Sequence, residues 1–208
     1  MNIRRWEAGM LAANCYLVQC PETGEAALID PGGDGEMLLR RAEEAKAKIV
    51  AIINTHGHSD HIAANGDIKK ATGATILCHE AEAASIISPG KNLSLYIGAS
   101  ITSPPADRLL KDGDVLTIGR TVRLEVLHTP GHTVGGICLR GQGVVFTGDT
   151  LFHGSIGRTD LPGGSYNQIL HSIREKLLAL PDDTVVYPGH GPESTIGFER
   201  VNNPFLTE

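Results

Sequence analysis

The apolar run Lys48-Ile49-Val50-Ala51-Ile52-Ile53-Asn54-Thr55 passes without a break into His56-Gly57-His58-Ser59-Asp60-His61. Rich in β-branched residues and lacking polar alternation, the run reads as a strand buried on both faces. Such a strand needs covering layers above and below its sheet. The loop that it feeds holds three of the chain's nine histidines. One feature therefore asks for a layered α/β architecture and for something at a strand end that binds imidazole.

The same grammar of apolar strand, small-residue loop and donor recurs three times. LEVLHTPGHTVGG carries His132, VVFTGDTLF carries Asp149 and TVVYPGHGPES carries His190. Strand ends gather along one edge of a sheet, so the four loops can meet in one cleft. The donors are then His56, His58, Asp60, His61, His132, Asp149 and His190. Imidazole nitrogen and carboxylate oxygen suit zinc and similar borderline metals in roughly tetrahedral sets. Seven donors exceed one such set and suit two divalent ions sharing a carboxylate, with zinc first and iron or manganese as alternatives. Alternate residues of an extended segment point the same way, so His56 and His58 can grip one ion. Asp60 and His61, at the start of the next helix, can face the other. Each residue alone has a plainer reading. Asp60 suits the N-cap of a helix beginning near Ile62, and Asp149 can hold a turn. His79 and His128 read as structural, while His153 and His171 carry no spacing signal. The conjunction is what points to a dinuclear site.

Around these loops the sequence predicts strands at NCYLVQ, EAALID and ATILCH, with helices over Glu36–Lys48, IAANGDIKKATG and EAEAASII. Residues 88–108, with Pro89, Pro104 and Pro105, read as a long loop lying over a site. The second half predicts strands at VLTIG, TVRLEVLHT, GICLRG, VVFTG and TVVYPG, with a helix over Tyr166–Leu180 capped by Ser165. Strand clusters with helices between them in both halves imply two packed sheets with helices outside, in one domain over residues 1–208.

Composition narrows the partners. The net charge is −6 and no Lys/Arg run exceeds two residues, which argues against nucleic acid or an anionic membrane. Cys15, Cys20, Cys78 and Cys138 form no C-x-x-C pair and read as buried reduced thiols. Arg4-Arg5 followed by apolar residues looks superficially like a secretion signal, but Glu7, Gly9 and Asn14 interrupt the apolar stretch. No segment approaches a membrane span. The expectation is a cytoplasmic soluble domain, and nothing in the sequence speaks to its oligomeric state.

In order, THGHSDH, HTPGHTVGG, FTGDTLF and YPGHG resemble the metallo-β-lactamase superfamily over nearly the whole chain. The resemblance implies a four-layer αββα sandwich with the site at one edge of the two sheets. It also implies roles: His56, His58 and His132 on a first metal, Asp60, His61 and His190 on a second, and Asp149 bridging. Asp30, in the IDPGG turn, looks like a supporting residue near the ligand loop, though it equally reads as a plain turn aspartate. Within the superfamily, THGHSDH with GDTLF and YPGHGPEST resembles the short bacterial hydroxyacylglutathione hydrolases of the glyoxalase II branch. That branch implies attack on a small-molecule thioester by a hydroxide shared between the metals, with Asp60 orienting the hydroxide or accepting its proton. The family's lysine-bearing glycine-rich segment is replaced here by GSIGRTDLPGG, so glutathione recognition stays open. Arg158 is the candidate partner for a substrate carboxylate, unless Asp160 or another acid already holds it.

The main rival is a mononuclear iron persulfide dioxygenase, which shares the fold and a GRTD segment like Gly157-Arg158-Thr159-Asp160. Di-iron oxygen reductases typically have glutamate where His58 stands. The nuclease branch needs an inserted domain and a basic face. A non-enzymatic metal scaffold would call for a closed site, which seven donors with a water position do not resemble.

Overall fold

The computed structural model describes residues 1–207. The first sheet runs β1 (Asn2–Ala8), β2 (Ala13–Gln19), β3 (Glu25–Ile29), β4 (Lys48–Ile53), β5 (Thr75–His79) and β6 (Arg108–Leu110), in that spatial order. Its first three strands are antiparallel; β3 to β6 are parallel, with helices on the crossovers. Those helices are α1 (Gly35–Glu44), α2 (Ser59–Ile62), α3 (Asn65–Thr72) and α4 (Ala83–Ile86). The second sheet contains β7 (Val115–Ile118), β8 (Val122–His128), β9 (Ile137–Gly141) and β10 (Val144–Gly148). After the ribbon β11 (Leu151–Phe152) and β12 (Ser155–Ile156), and helix α5 (Tyr166–Ser172), it gains β13 (Val185–Pro188) and β14 (Ser194–Thr195). Its order is β14-β13-β10-β9-β8-β7, and helix α6 (Ile196–Asn202) follows.

Side-chain alternation builds the layers. In β2, Tyr16 and Val18 face the second sheet while Cys15 and Leu17 face the helices. Ile53 of β4 meets Leu124, Val126, Ile137 and Phe146 in the core between the sheets, whereas Ile52 packs outward with Leu38, Ala42 and Ile68. On the far side, Cys138 and Val145 pack against Ile169, Ile173 and Leu177. Burial on both faces is why β4 is apolar from Ile49 to Ile53, and the four-layer αββα sandwich expected from the sequence is the observed one. All four cysteines are free and buried. Among the described residues, no helix is long and apolar enough to cross a membrane.

Several local expectations need correction. The signal-like stretch is edge strand β1, paired along its length with β2. Helix α1 ends at Glu44 rather than Lys48, because Lys46 takes a left-handed conformation (φ 52°) that turns the chain into β4. His58, not Asp60, precedes the first turn of α2; Asp60 lies within that turn and its carboxylate serves the site instead. Ser165 does stand at the start of α5, but its hydroxyl makes no capping bond, and the helix passes into a wider π turn at Ile173–Leu177. Residues 88–108 contain a 3₁₀ turn at Ser94–Ile97, and β6 begins at Arg108. The two-residue strands and α6 were too short or too mixed in composition to announce themselves.

Phe146 is fully buried between the sheets, 5.2 Å from the Tyr16 ring in an edge-on arrangement and stacked on Tyr187. Phe146→Ala is expected to lower unfolding free energy by about 3–5 kcal/mol in urea titration. A loss below about 1 kcal/mol would show that this core layer is not what holds the sheets together.

Candidate metal centre

Each donor loop leaves the C-terminal end of a strand at the same edge: His56 to His61 after β4, His132 after β8, Asp149 after β10 and His190 after β13. Parallel pairing of β10 with β13 sets Asp149 beside His190, and Gly189 N donates to Gly148 O at 2.8 Å. The two sheets are tied at this edge. Ile137 N donates to Thr55 O at 2.9 Å, and Asn14 N donates to Gly189 O at 2.7 Å. A Cβ on Gly189 would collide with Asp149 Oδ1, so only glycine lets this loop approach the carboxylate.

Two groups of ligand atoms result. His56, His58 and His132 form one; Asp60, His61 and His190 form the other; the atoms within each group lie within 4.8 Å of one another. Asp149 stands between them. Its Oδ1 is 3.4 Å from His61 Nε2, while Oδ2 is 3.6 Å from His132 Nε2 and 3.8 Å from His190 Nε2. All seven residues singled out in the sequence are therefore brought together.

The rings are oriented from behind. His132 Nδ1 donates to the carbonyl of Arg158 at 2.8 Å, which leaves Nε2 with its lone pair facing inward. Thr55 Oγ1 donates to Asp30 Oδ2 at 2.6 Å and so accepts from His56 Nδ1 at 3.1 Å, leaving His56 Nε2 free. Asp30 also accepts from Thr55 N at 2.7 Å and lies 3.1 Å from His61 Nδ1. Asp30 thus belongs to a third possible ligand group with His56 and His61, but its oxygens are already committed to Thr55, and it orders His61 from behind.

Charge at this edge is unbalanced without a cation. His56 Nε2, His61 Nε2 and Asp149 Oδ1 are buried and have no hydrogen-bond partner, which is costly unless something fills the gap. Burial and its imidazole neighbours push the His58 ring down to about 3, and His56 moves in the same direction for the same reasons, so both rings are neutral lone-pair donors. His61 behaves oppositely. Burial opposes its charged form, but Asp149, Asp60 and Asp30 outweigh that and raise it to about 10. The three carboxylates create a place for positive charge, and divalent ions fit both the donor set and the charge.

Residues 8–190 match the metallo-beta-lactamase superfamily. The chain belongs to that superfamily. A relative named hydroxyacylglutathione hydrolase GloC, from Haemophilus influenzae, is 39% identical over 99% of this chain and 98% of its own length. Among solved structures, BLEG-1, described as a B3 metallo-beta-lactamase, superposes with a TM-score of 0.95 at 40% identity over the whole of both chains. TTHA1623, solved in a di-iron-bound form, gives 0.87 at 36% identity over 98% of this chain and all of that one. ETHE1 from Myxococcus xanthus gives 0.81 at 30% identity over 98% and 84%.

Other residues sit where the sequence did not suggest. His79 and His128 stack on each other, ring centroids 4.1 Å apart, and belong to none of the ligand groups. His153 is exposed and stacks on Phe198. The Arg158 fork is closed on Asp160, with Nε and Nη2 each donating at 2.8 Å, and both side chains are exposed. Glu82 escaped the sequence reading altogether. It is 1% exposed, and its carboxylate accepts from Gly57 N at 3.0 Å and Gly135 N at 2.9 Å. Gly57 separates His56 from His58, and Gly135 lies three residues past His132, so one carboxylate holds both loops of the first ligand group. A signal existed, since Glu82 shares a helical face with buried Ile86 four residues on.

Glu82→Gln keeps the shape but replaces one acceptor oxygen with a donor that faces a backbone N–H. Zinc affinity by chelator competition is expected to fall roughly 10–100-fold, as for other groups that orient metal ligands. Unchanged affinity in a variant folded by circular dichroism would remove Glu82 from that role.

Proposed function

We propose that the protein is a dinuclear metal-dependent hydrolase of small-molecule thioesters such as S-D-lactoylglutathione. The observation that carries this reading is Asp149, whose two oxygens face both ligand groups. His56, His58 and His132 would hold one divalent ion, Asp60, His61 and His190 the other, and Asp149 both. Zinc fits these donors best, with iron or manganese also suited. When bound, the ions make hydroxide available near neutral pH and polarise a carbonyl oxygen.

The chain's own groups do the rest. Asp60 is opposed by burial, but His61 and His190 hold its carboxyl well below the usual range, so it stays ionised. Its Oδ2, which accepts from His190 Nε2 at 3.2 Å, would orient the attacking water or accept its proton. Water adds to the carbonyl carbon and the C–S bond breaks with its electron pair on sulfur. The products are a carboxylic acid and a thiol. A thiol's pKa of about 8.5 makes the thiolate a competent leaving group, so no strong general acid is required. The likeness to GloC supports a thioester as substrate, and the 39% identity extends over nearly the full length of both chains.

The rival, a mononuclear iron oxidoreductase, draws on the likeness to ETHE1 and on Gly157–Asp160. It leaves Asp60, His61 and His190 without a metal to bind. Metal analysis and S-D-lactoylglutathione hydrolysis on one sample separate the two. About two zinc or other divalent ions per chain with thioester cleavage is the expected result. A single iron with oxygen uptake on glutathione persulfide would replace this reading with the rival. Asp149→Ala is expected to strip metal and reduce turnover by at least roughly a thousandfold; full metal content and activity would sink the bridging role.

Arg158 enters as the residue able to meet an acidic group on the thiol side, by exchanging Asp160 for a substrate carboxylate. Exchange between exposed ion pairs is inexpensive. Arg158→Ala is expected to raise KM for S-D-lactoylglutathione several-fold while kcat changes little, and an unchanged KM would exclude the contact.

A further inference from the structure

A cavity of about 440 Å³ opens beside Asp60, a size typical of small-molecule pockets. Its large apolar side chains are Met10, Leu11, Ile97 and Ile101, from two segments far apart in the sequence, with the small Ala63 beside them. Met10 is 85% exposed, Leu11 50% and Ile97 42%, so three large apolar residues are held in solvent around one opening.

Both walls are anchored through their backbones. At the β1–β2 turn, Gly9 N donates to Asp34 Oδ2 at 2.8 Å and Ala12 N donates to Gly9 O at 3.1 Å. Gly9 also lies directly on Gly32 and Gly33, close enough that a Cβ on Gly33 would stand 2.5 Å from Gly9 Cα. On the opposite wall, buried Asn92 donates through Nδ2 to Ile101 O at 2.8 Å, and Ser94 Oγ accepts from Ile101 N at 3.1 Å. Ser59 N donates to Asn92 O at 2.9 Å, which ties this wall to the ligand helix α2. The pocket is therefore built, with fixed backbone under an exposed apolar lining.

Its charge is one-sided. No Lys, Arg or His lines it, and its two ionisable groups are the carboxylates Asp34 and Asp60. With Asp60 on a metal, a substrate carboxylate would still find only Asp34 and no cationic side chain in this lining, whereas a lactoyl group would leave most of the cavity empty. We propose that this cavity receives a neutral, unbranched apolar arm of the thioester, several methylenes long. The inference rests on the hydrolase reading of the adjoining metal centre and adds the substrate class to it. The arm's chemistry is the same whether it belongs to the acyl group or to the thiol.

The test uses the metal-loaded protein and two series of neutral thioesters. One lengthens the acyl chain from acetyl to octanoyl on N-acetylcysteamine; the other lengthens an alkyl thiol carrying an acetyl group. S-D-lactoylglutathione is the reference. In one series kcat/KM is expected to rise roughly three- to fourfold per methylene until the cavity is filled, and which series rises identifies the arm. In Met10→Ser/Leu11→Ser, altered at exposed positions, the ratio of long-chain to acetyl activity is expected to fall roughly tenfold or more. Flat responses in both series or an unchanged ratio in the double variant would overturn the inference while leaving the hydrolase standing. Cleavage of no thioester by protein holding both ions would overturn the hydrolase reading and this one with it.

Discussion

The site depends on the desolvation of lone pairs. Imidazole nitrogens and carboxylate oxygens are buried at one edge of the sandwich, and several of them have no protein partner. In water each would be solvated; here a cation, or a proton in its place, satisfies them. The elevated affinity of His61 for a proton is the sign of that demand, set by three surrounding carboxylates. Neutral His56 and His58 complete the arrangement, since their burial removes the competing proton from the nitrogens a metal needs.

Holding such a set of groups requires rigidity, and the fold supplies it from behind. Asp30 fixes Thr55, Thr55 fixes His56, the Arg158 carbonyl fixes His132, and Glu82 joins the two loops of the first ligand group. These supports come from strands and turns of both sheets. Their geometry therefore follows from how the sheets pack, which the core around Tyr16, Ile53 and Phe146 determines. Chemistry and stability meet at the same edge: the hydrogen bonds that close the sandwich there, Thr55 to Ile137 and Asn14 to Gly189, also set the spacing of the donors.

Reaction type and substrate preference are carried by different parts of the molecule. The strand-end donors decide what can be activated. The walls beside them, the β1–β2 turn and the segment around Asn92 and Ile101, lie outside the ligand loops. Their exposed side chains Met10, Leu11 and Ile97 are not among the groups that orient the donors, which allows one scaffold to serve many substrates.

The sequence by itself determined the layers and the donors. Doubly buried strands such as β4 show as uninterrupted apolar runs, and metal-binding loops show as His, Asp and Gly clustered at their ends, because both requirements are local. His56 to His61, His132, Asp149 and His190 were legible for that reason, and so was the sandwich that gathers them. Only the tertiary structure decided which donors face one another, that Asp60 lies inside the first turn of α2 instead of capping it, that Glu82 clamps two loops, and that the Arg158 fork is taken by Asp160. It alone revealed the cavity, whose walls are more than eighty residues apart in the chain. Those outcomes rest on contacts between distant segments, and a contact of that kind leaves no period or motif in either segment alone.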